Sequence, residues 1–204
     1  MQIDKMHQIK REIRATVKAK RLALTDAQKS AAAQALTANM QELVVARGAR
    51  TVAAYLPVRS EPDTSQFISW AKENSVRILL PSCRPDMLMD WIEPSSSETI
   101  IGANGIPEPI GKVFSPMEID NCDLILLPAA AVDESGTRLG WGGGYYDRTL
   151  GSTQQVPDTF ALLYDDELVP DLPRETHDVP VTGVVQPQGI RYLDRKPLKL
   201  DLES

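Results

Sequence analysis

Residues 126–150 read LLPAAAVDESGTRLGWGGGYYDRTL. An apolar run, Leu124–Leu127, closes at Pro128, and Asp133-Glu134-Ser135-Gly136 makes a turn. Arg138-Leu139-Gly140-Trp141-Gly142-Gly143-Gly144 then leads to a helix start at Tyr145-Tyr146-Asp147-Arg148. A buried strand that runs through a glycine-rich loop into a helix is a phosphate-binding arrangement. Glycines let backbone N–H groups approach an anion, and the helix N-terminus adds a positive dipole end. Neither common glycine loop is present: a dinucleotide fingerprint needs Gly where Tyr145 stands, and a P-loop needs a Lys after the glycines. A plain hairpin tip is the bland alternative for a glycine triplet. Five neighbours argue against it, since Arg138, Tyr145, Tyr146, Asp147 and Arg148 can bind anions, stack rings or hold a metal.

Outward from this stretch, short apolar strands alternate with helices. Thr51–Leu56 reads as a strand ended by Pro57, residues 65–74 as a helix, and Val76–Leu80 as a strand. That order makes a βαβ unit with parallel strands. Glu61 then falls in a loop at the carboxyl edge of the sheet, where open α/β sheets bind ligands. Further strands are expected at Met87–Ile92, Asp123–Leu127, Thr159–Tyr164 and Val181–Val185. The expected fold is a single α/β domain over residues 1–204, Rossmann-like and three-layered, with a mostly parallel central sheet and two N-terminal helices.

The first helix spans residues 4–24, with Met6, Ile9, Ile13 and Val17 on an apolar face. Lys10, Arg14, Lys18 and Arg21 form a basic stripe beside it. Such a stripe is usually a solvated face, but this one borders the buried face and can reach over an adjoining pocket. Thr25-Asp26-Ala27-Gln28 is a capping box that starts a second helix over Asp26–Ala46.

The 204-residue chain has a net charge of −6, which argues against a nucleic-acid binder. Residues 5–21 carry a local charge of +6, leaving −12 on the rest, a pattern suited to a small anionic ligand. No stretch is long and apolar enough to span a membrane, and the N-terminus lacks a signal-peptide core, so a cytoplasmic protein is expected. Cys83 and Cys122 read as packing residues rather than a disulfide or metal site.

The segment RLGWGGGYYDR at 138–148, preceded by PAAAVDESGT, resembles the signature of the 5-formyltetrahydrofolate cyclo-ligases, also called methenyltetrahydrofolate synthetases. Lys10-x-x-x-Arg14 followed by Arg21, Y-x-P-x-x-x-E-x-D-T at Tyr55–Thr64, the I-P-x-P turn at Ile106–Pro109 and H-D-x-P at His177–Pro180 extend the likeness. The resemblance implies conversion of 5-formyltetrahydrofolate to 5,10-methenyltetrahydrofolate with ATP and Mg²⁺. It implies ATP contacts from Lys10, Arg14, Arg138, Leu139 and Gly140, and from Trp141, Gly142, Gly143, Gly144, Tyr145 and Tyr146. Arg138, Tyr145 and Tyr146 would be catalytic. Leu56, Glu61 and Tyr145 would meet the folate, and Asp147 and Asp178 would hold Mg²⁺. His177, beside Asp178, reads as a solvated residue. A monomer without nucleic-acid or membrane partners is expected. Two departures stand out: Gln186 occupies a position where the family often has Thr, and Trp141 one where members vary. The rival readings are a nucleotide-binding regulatory module on the same fold, without turnover, and a sugar-phosphate isomerase-like enzyme needing no ATP.

Overall fold

The computed structural model describes residues 2–102, 105–154, 156–175 and 178–194, with side chains from residue 5 onward. Helices α1 (Gln2–Ala23) and α2 (Asp26–Arg47) open the chain. The Thr25 hydroxyl and the Gln28 side chain cap α2 reciprocally, as the sequence indicates, and Gly48, at φ 60°, ends it.

Strands β1 (Thr51–Ala53) and β2 (Arg77–Cys83) flank α3 (Ser65–Glu73). They are followed by β3 (Met89–Ile101), β4 (Pro107–Phe114), β5 (Leu124–Pro128), β6 (Ala131–Asp133), β7 (Arg138–Leu139) and α4 (Tyr145–Gly151). Strands β8 (Asp158–Leu162), β9 (Leu168–Val169), β10 (Gly183–Gln186) and β11 (Gly189–Tyr192) complete the chain. An eight-stranded sheet has the order β11-β10-β8-β5-β1-β2-β3-β4. Its centre, β10-β8-β5-β1-β2, is parallel, and β3, β4 and β11 add antiparallel edges.

The central strands are buried on both faces, which is why β5 reads LILLP rather than alternating. Leu124 and Leu126 pack under α2 and α3 with Met40 and Phe67. Ile125 and Leu127 pack on the opposite face with Trp91, Ile119 and Leu150. The expected three-layered, mostly parallel α/β architecture is thus present.

Four local expectations are corrected. The first strand ends at Ala53 rather than Leu56, because the Tyr55 carbonyl and hydroxyl are taken up by Thr64 and Pro62 in a folded loop. The third strand is far longer than Met87–Ile92, since β3 and β4 form an extended hairpin with a register break between Pro94 and Thr99. The glycine loop does not follow the central strand directly. A second, three-stranded sheet, β7-β6-β9, lies between them, and the loop leaves from β7. Last, α1 turns part of its basic stripe inward: Lys10 and Arg21 are buried with Val17, whereas Ile9 is 37% exposed. Buried acids on neighbouring segments explain that rotation.

Candidate active site

Asp133 sets the position of the glycine loop. One carboxylate oxygen accepts the Ser135 N–H (2.9 Å), the Ser135 hydroxyl (2.7 Å) and the Thr137 N–H (2.9 Å). The other accepts the Leu172 N–H at 3.1 Å. Four donors on one 2%-exposed carboxylate lock the β6–β7 turn. Gly136 completes it at φ 86°, and a Cβ there would lie 2.7 Å from the Val181 carbonyl. The sequence showed the turn but not its buried anchor.

Arg138 is buried; its Nη2 donates to Asp147, and its guanidinium lies 5.7 Å from the Tyr146 ring centre. Its Nε and the Tyr146 hydroxyl are buried polar atoms without a hydrogen-bond partner. Burial holds the Tyr146 phenol well above its ordinary range, chiefly by desolvation and then by the Glu61 charge. Leu139 packs in the core with Val17. A Cβ at Gly140 would lie 2.6 Å from Arg138 Nη1, so a side chain there would displace the guanidinium. Its carbonyl accepts Arg14 Nε at 2.7 Å. Gly142 and Gly144 take φ of 96° and 71°, which L side chains adopt at a cost. The helix that follows is only seven residues long, so the positive-dipole part of the phosphate expectation is weak.

Lys10 lies apart from the loop: its ammonium meets Glu175 at 2.9 Å and Asp178 at 3.7 Å. Asp178 also accepts the Glu175 N–H at 2.8 Å. Arg21, the last base of the stripe, is bound to Glu167 and the Ala129 carbonyl, so it faces the core. His177 lies outside the described residues. No group of three or more His, Cys, Asp or Glu among the described residues is placed to hold a metal.

The Tyr55–Thr64 segment is a folded loop at the carboxyl end of β1. The Tyr55 hydroxyl donates to the Pro62 carbonyl (2.8 Å), and the Thr64 hydroxyl donates to the Tyr55 carbonyl (2.6 Å). Asp63 accepts the Ser65 N–H at 2.8 Å and so starts α3. Glu61 accepts the Val58 N–H at 3.1 Å. Burial pushes its carboxyl up from 4.5 to about 7, opposed by the Val58 bond and the charges of Arg21 and Arg59.

A cavity of about 510 Å³ brings these parts together, within the range of small-molecule sites. Leu56 and Glu61 line it from the β1 loop, and Arg138, Gly140–Gly144, Tyr145, Tyr146 and Asp147 from the glycine loop and α4. Lys10, Arg14, Leu139 and Asp178 are not in its lining. Cys83, Met87, Met89, Ile106, Pro107 and Glu108 form a further wall, from β2, β3, β4 and the turns that precede β3 and β4. The sequence reading missed that wall as a site, although the proline-rich turn at 106–109 marked it.

An open, largely parallel sheet with this cavity at its carboxyl edge defines a small-molecule-binding α/β protein. The sequence matches the 5-formyltetrahydrofolate cyclo-ligase family over residues 6–187. It is 34% identical to a 5-formyltetrahydrofolate cyclo-ligase of Mycolicibacterium smegmatis, covering 88% of this chain and 94% of that one. It is 32% identical to one of Escherichia coli, over 85% and 98% of the two chains. The fold superposes on the 5,10-methenyltetrahydrofolate synthetase of Aquifex aeolicus with a TM-score of 0.78 and 27% identity, covering 96% and 97%. The chain belongs to the 5-formyltetrahydrofolate cyclo-ligase family, and is thereby a ligase of folate one-carbon metabolism. No helix among the described residues is long and apolar enough to cross a membrane.

Proposed function

We propose that the protein closes 5-formyltetrahydrofolate to 5,10-methenyltetrahydrofolate at the expense of ATP, with Mg²⁺, forming ADP and phosphate. The observation that carries this reading is the single cavity shared by Glu61 and the glycine loop. A regulatory nucleotide sensor has no need of a carboxylate suited to a pterin.

The residues present fit a phosphate group. Gly142 and Gly144 hold left-handed backbone that favours glycine, leaving the loop backbone uncovered by side chains, and the buried Arg138 Nε has no partner. They also fit Mg²⁺, which takes one or two carboxylates together with phosphate oxygens rather than an all-protein cage. ATP supplies the phosphoryl group that makes the formyl oxygen a leaving group, and Mg²⁺ offsets phosphate charge. Arg138 and the backbone of Gly142, Gly143 and Gly144 would hold phosphate oxygens. Arg14, fixed on the Gly140 carbonyl, adds positive charge beside the loop. Lys10 would serve the same end by exchanging Glu175 for phosphate, one anion for another. Tyr145 and Tyr146 wall the reacting centre, and Tyr146 donates its free hydroxyl as a neutral phenol. Leu56 packs against the folate and Glu61 reads its pterin edge. N10 of the folate bonds to the formyl carbon, its hydrogen leaves as a proton, and the formyl oxygen leaves with the phosphate. Asp147 is the primary metal ligand in this proposal. Asp178, whose Oδ2 is held by Lys10 and the Glu175 N–H, is the second metal ligand in this proposal.

Mixing the protein with 5-formyltetrahydrofolate, Mg²⁺ and ATP is expected to produce the methenyl-folate absorbance band, and omitting nucleotide to abolish it. Equal rates with and without ATP would overturn the proposal. Asp147→Asn is expected to fold, since the amide keeps an oxygen that can accept the Arg138 Nη2 hydrogen bond and the site is 27% exposed. It should raise the Mg²⁺ concentration for half-maximal rate by at least the roughly 10-fold that follows loss of even an outer-shell partner. Unchanged Mg²⁺ dependence would remove Asp147 from the metal site.

A further inference from the structure

We propose that Glu108 is a second substrate-reading carboxylate, accepting a hydrogen bond from the N10–H of the bound reduced folate. The inference rests on the folate reading above and assigns a role on the β2–β4 wall of the cavity.

Glu108 is only 9% exposed yet lines the cavity. One oxygen accepts the Ser82 hydroxyl at 2.7 Å and the other the Cys83 N–H at 3.1 Å. Among the described residues no cation is paired with it. A buried carboxylate held only by one neutral hydroxyl and one amide is costly to desolvate. It has roughly four lone-pair positions, of which two are filled. Gly102 is shaped around it: any side chain at that position would collide with the Glu108 carboxyl group. The site is therefore built to keep a carboxylate at the wall with acceptor capacity to spare.

The neighbours select the donor. Met87, Met89, Ile106 and Pro107 surround this part of the cavity with apolar groups. The pterin edge presents paired donors, which suit Glu61 in its own loop. N10 is a single N–H between a methylene and an aromatic ring, which suits one acceptor in an apolar wall. An acceptor on the N10 hydrogen also fixes where the N10 lone pair points, and that lone pair must reach the formyl carbon. Glu108 would thus orient the nucleophile as well as recognise it.

The test compares equilibrium binding of 5-formyltetrahydrofolate with its 10-deaza analogue, in which CH₂ replaces N10–H. Wild-type protein is expected to prefer the natural compound by about tenfold or more, the worth of a hydrogen bond to a charged group. In Glu108→Leu that preference should fall to near unity, with affinity for the 10-deaza compound little changed. Should Glu108→Leu fail to fold, Glu108→Gln keeps the shape but turns one acceptor into a donor, and its preference should shrink at least severalfold. A wild-type preference that survives either folded variant overturns the proposal. So does equal weakening of both compounds, which would make Glu108 a clamp between β2 and β4 and nothing more. Wild-type turnover separates the two readings. If methenyl-folate forms but the preference is insensitive to Glu108, only this inference fails; if it never forms, the proposed function fails.

Discussion

Glu61→Gln is expected to raise the KM for 5-formyltetrahydrofolate by about 100-fold or more, because a site built to pair buried polar groups rejects a mismatch strongly. Nucleotide affinity should stay nearly unchanged. One carboxylate can accept the two adjacent pterin donors in parallel, and the amide would turn an N–H donor toward one of them. Glu61 is anchored by the Val58 N–H, so its reach is fixed before substrate arrives. Steady-state kinetics with each substrate varied separately decides the point. An unaltered folate KM would mean that another residue reads the pterin.

The same carboxyl gives a pH signature. With its value pushed up to about 7 by burial, Glu61 is largely protonated in the free protein on the acid side of neutrality. If the ionised form binds the pterin, folate affinity should fall about tenfold per pH unit below pH 7, a dependence that Glu61→Gln removes. The effect on stability has the opposite sense. The folded state holds this proton more tightly than the unfolded chain does, so Glu61 lowers stability progressively as pH rises from 4.5 to about 7. Glu61→Gln should therefore be more stable than wild type at pH 8 and show no such gain at pH 4, by denaturant midpoints. Equal stability of the two proteins at pH 8 would contradict the burial argument.

The largest stability effect is expected from Glu167→Ala, about 3–5 kcal/mol, the usual cost of stranding one partner of a buried ion pair. Arg21 and Glu167 are 1% and 4% exposed and share two bonds of 2.7 Å. Glu167 also accepts the Tyr164 N–H, and Arg21 donates to the Ala129 carbonyl at the end of β5. The guanidinium lies 5.2 Å from the Trp141 ring centre and 5.4 Å from that of Tyr164. Losing Glu167 therefore loosens the support behind the glycine loop as well as the docking of α1. The double change Arg21→Met with Glu167→Leu should recover much of the loss, because an apolar pair leaves no uncompensated charge. Urea unfolding of the three proteins measures this. A loss below about 1 kcal/mol in Glu167→Ala, typical of an exposed pair, would mean that water reaches the site.

The sequence by itself determined the parts of this protein whose physics is local. The capping box at Thr25–Gln28 names its own partners, and the Leu124–Leu127 run, too short for a helix and closed by Pro128, reads as a buried strand. The chain order around α3 dictates parallel pairing of β1 with β2, and so places Glu61 at the carboxyl edge. The glycine loop and its flanking Arg138, Tyr145, Tyr146 and Asp147 are contiguous, so they were legible as one cluster. Tertiary structure alone decided what depends on distant partners. Nothing in α1 says that Lys10 and Arg21 turn inward, because the acids that draw them in, Glu175, Asp178 and Glu167, lie at the other end of the chain. The small β7-β6-β9 sheet escaped notice because its strands are two or three residues long, too short for any periodicity to show. Glu108 reads as one more acid in a proline-rich turn. Only the fold of β4 beside β3, with Ser82 and Cys83 of β2 within hydrogen-bonding reach, makes it a buried carboxylate facing the cavity.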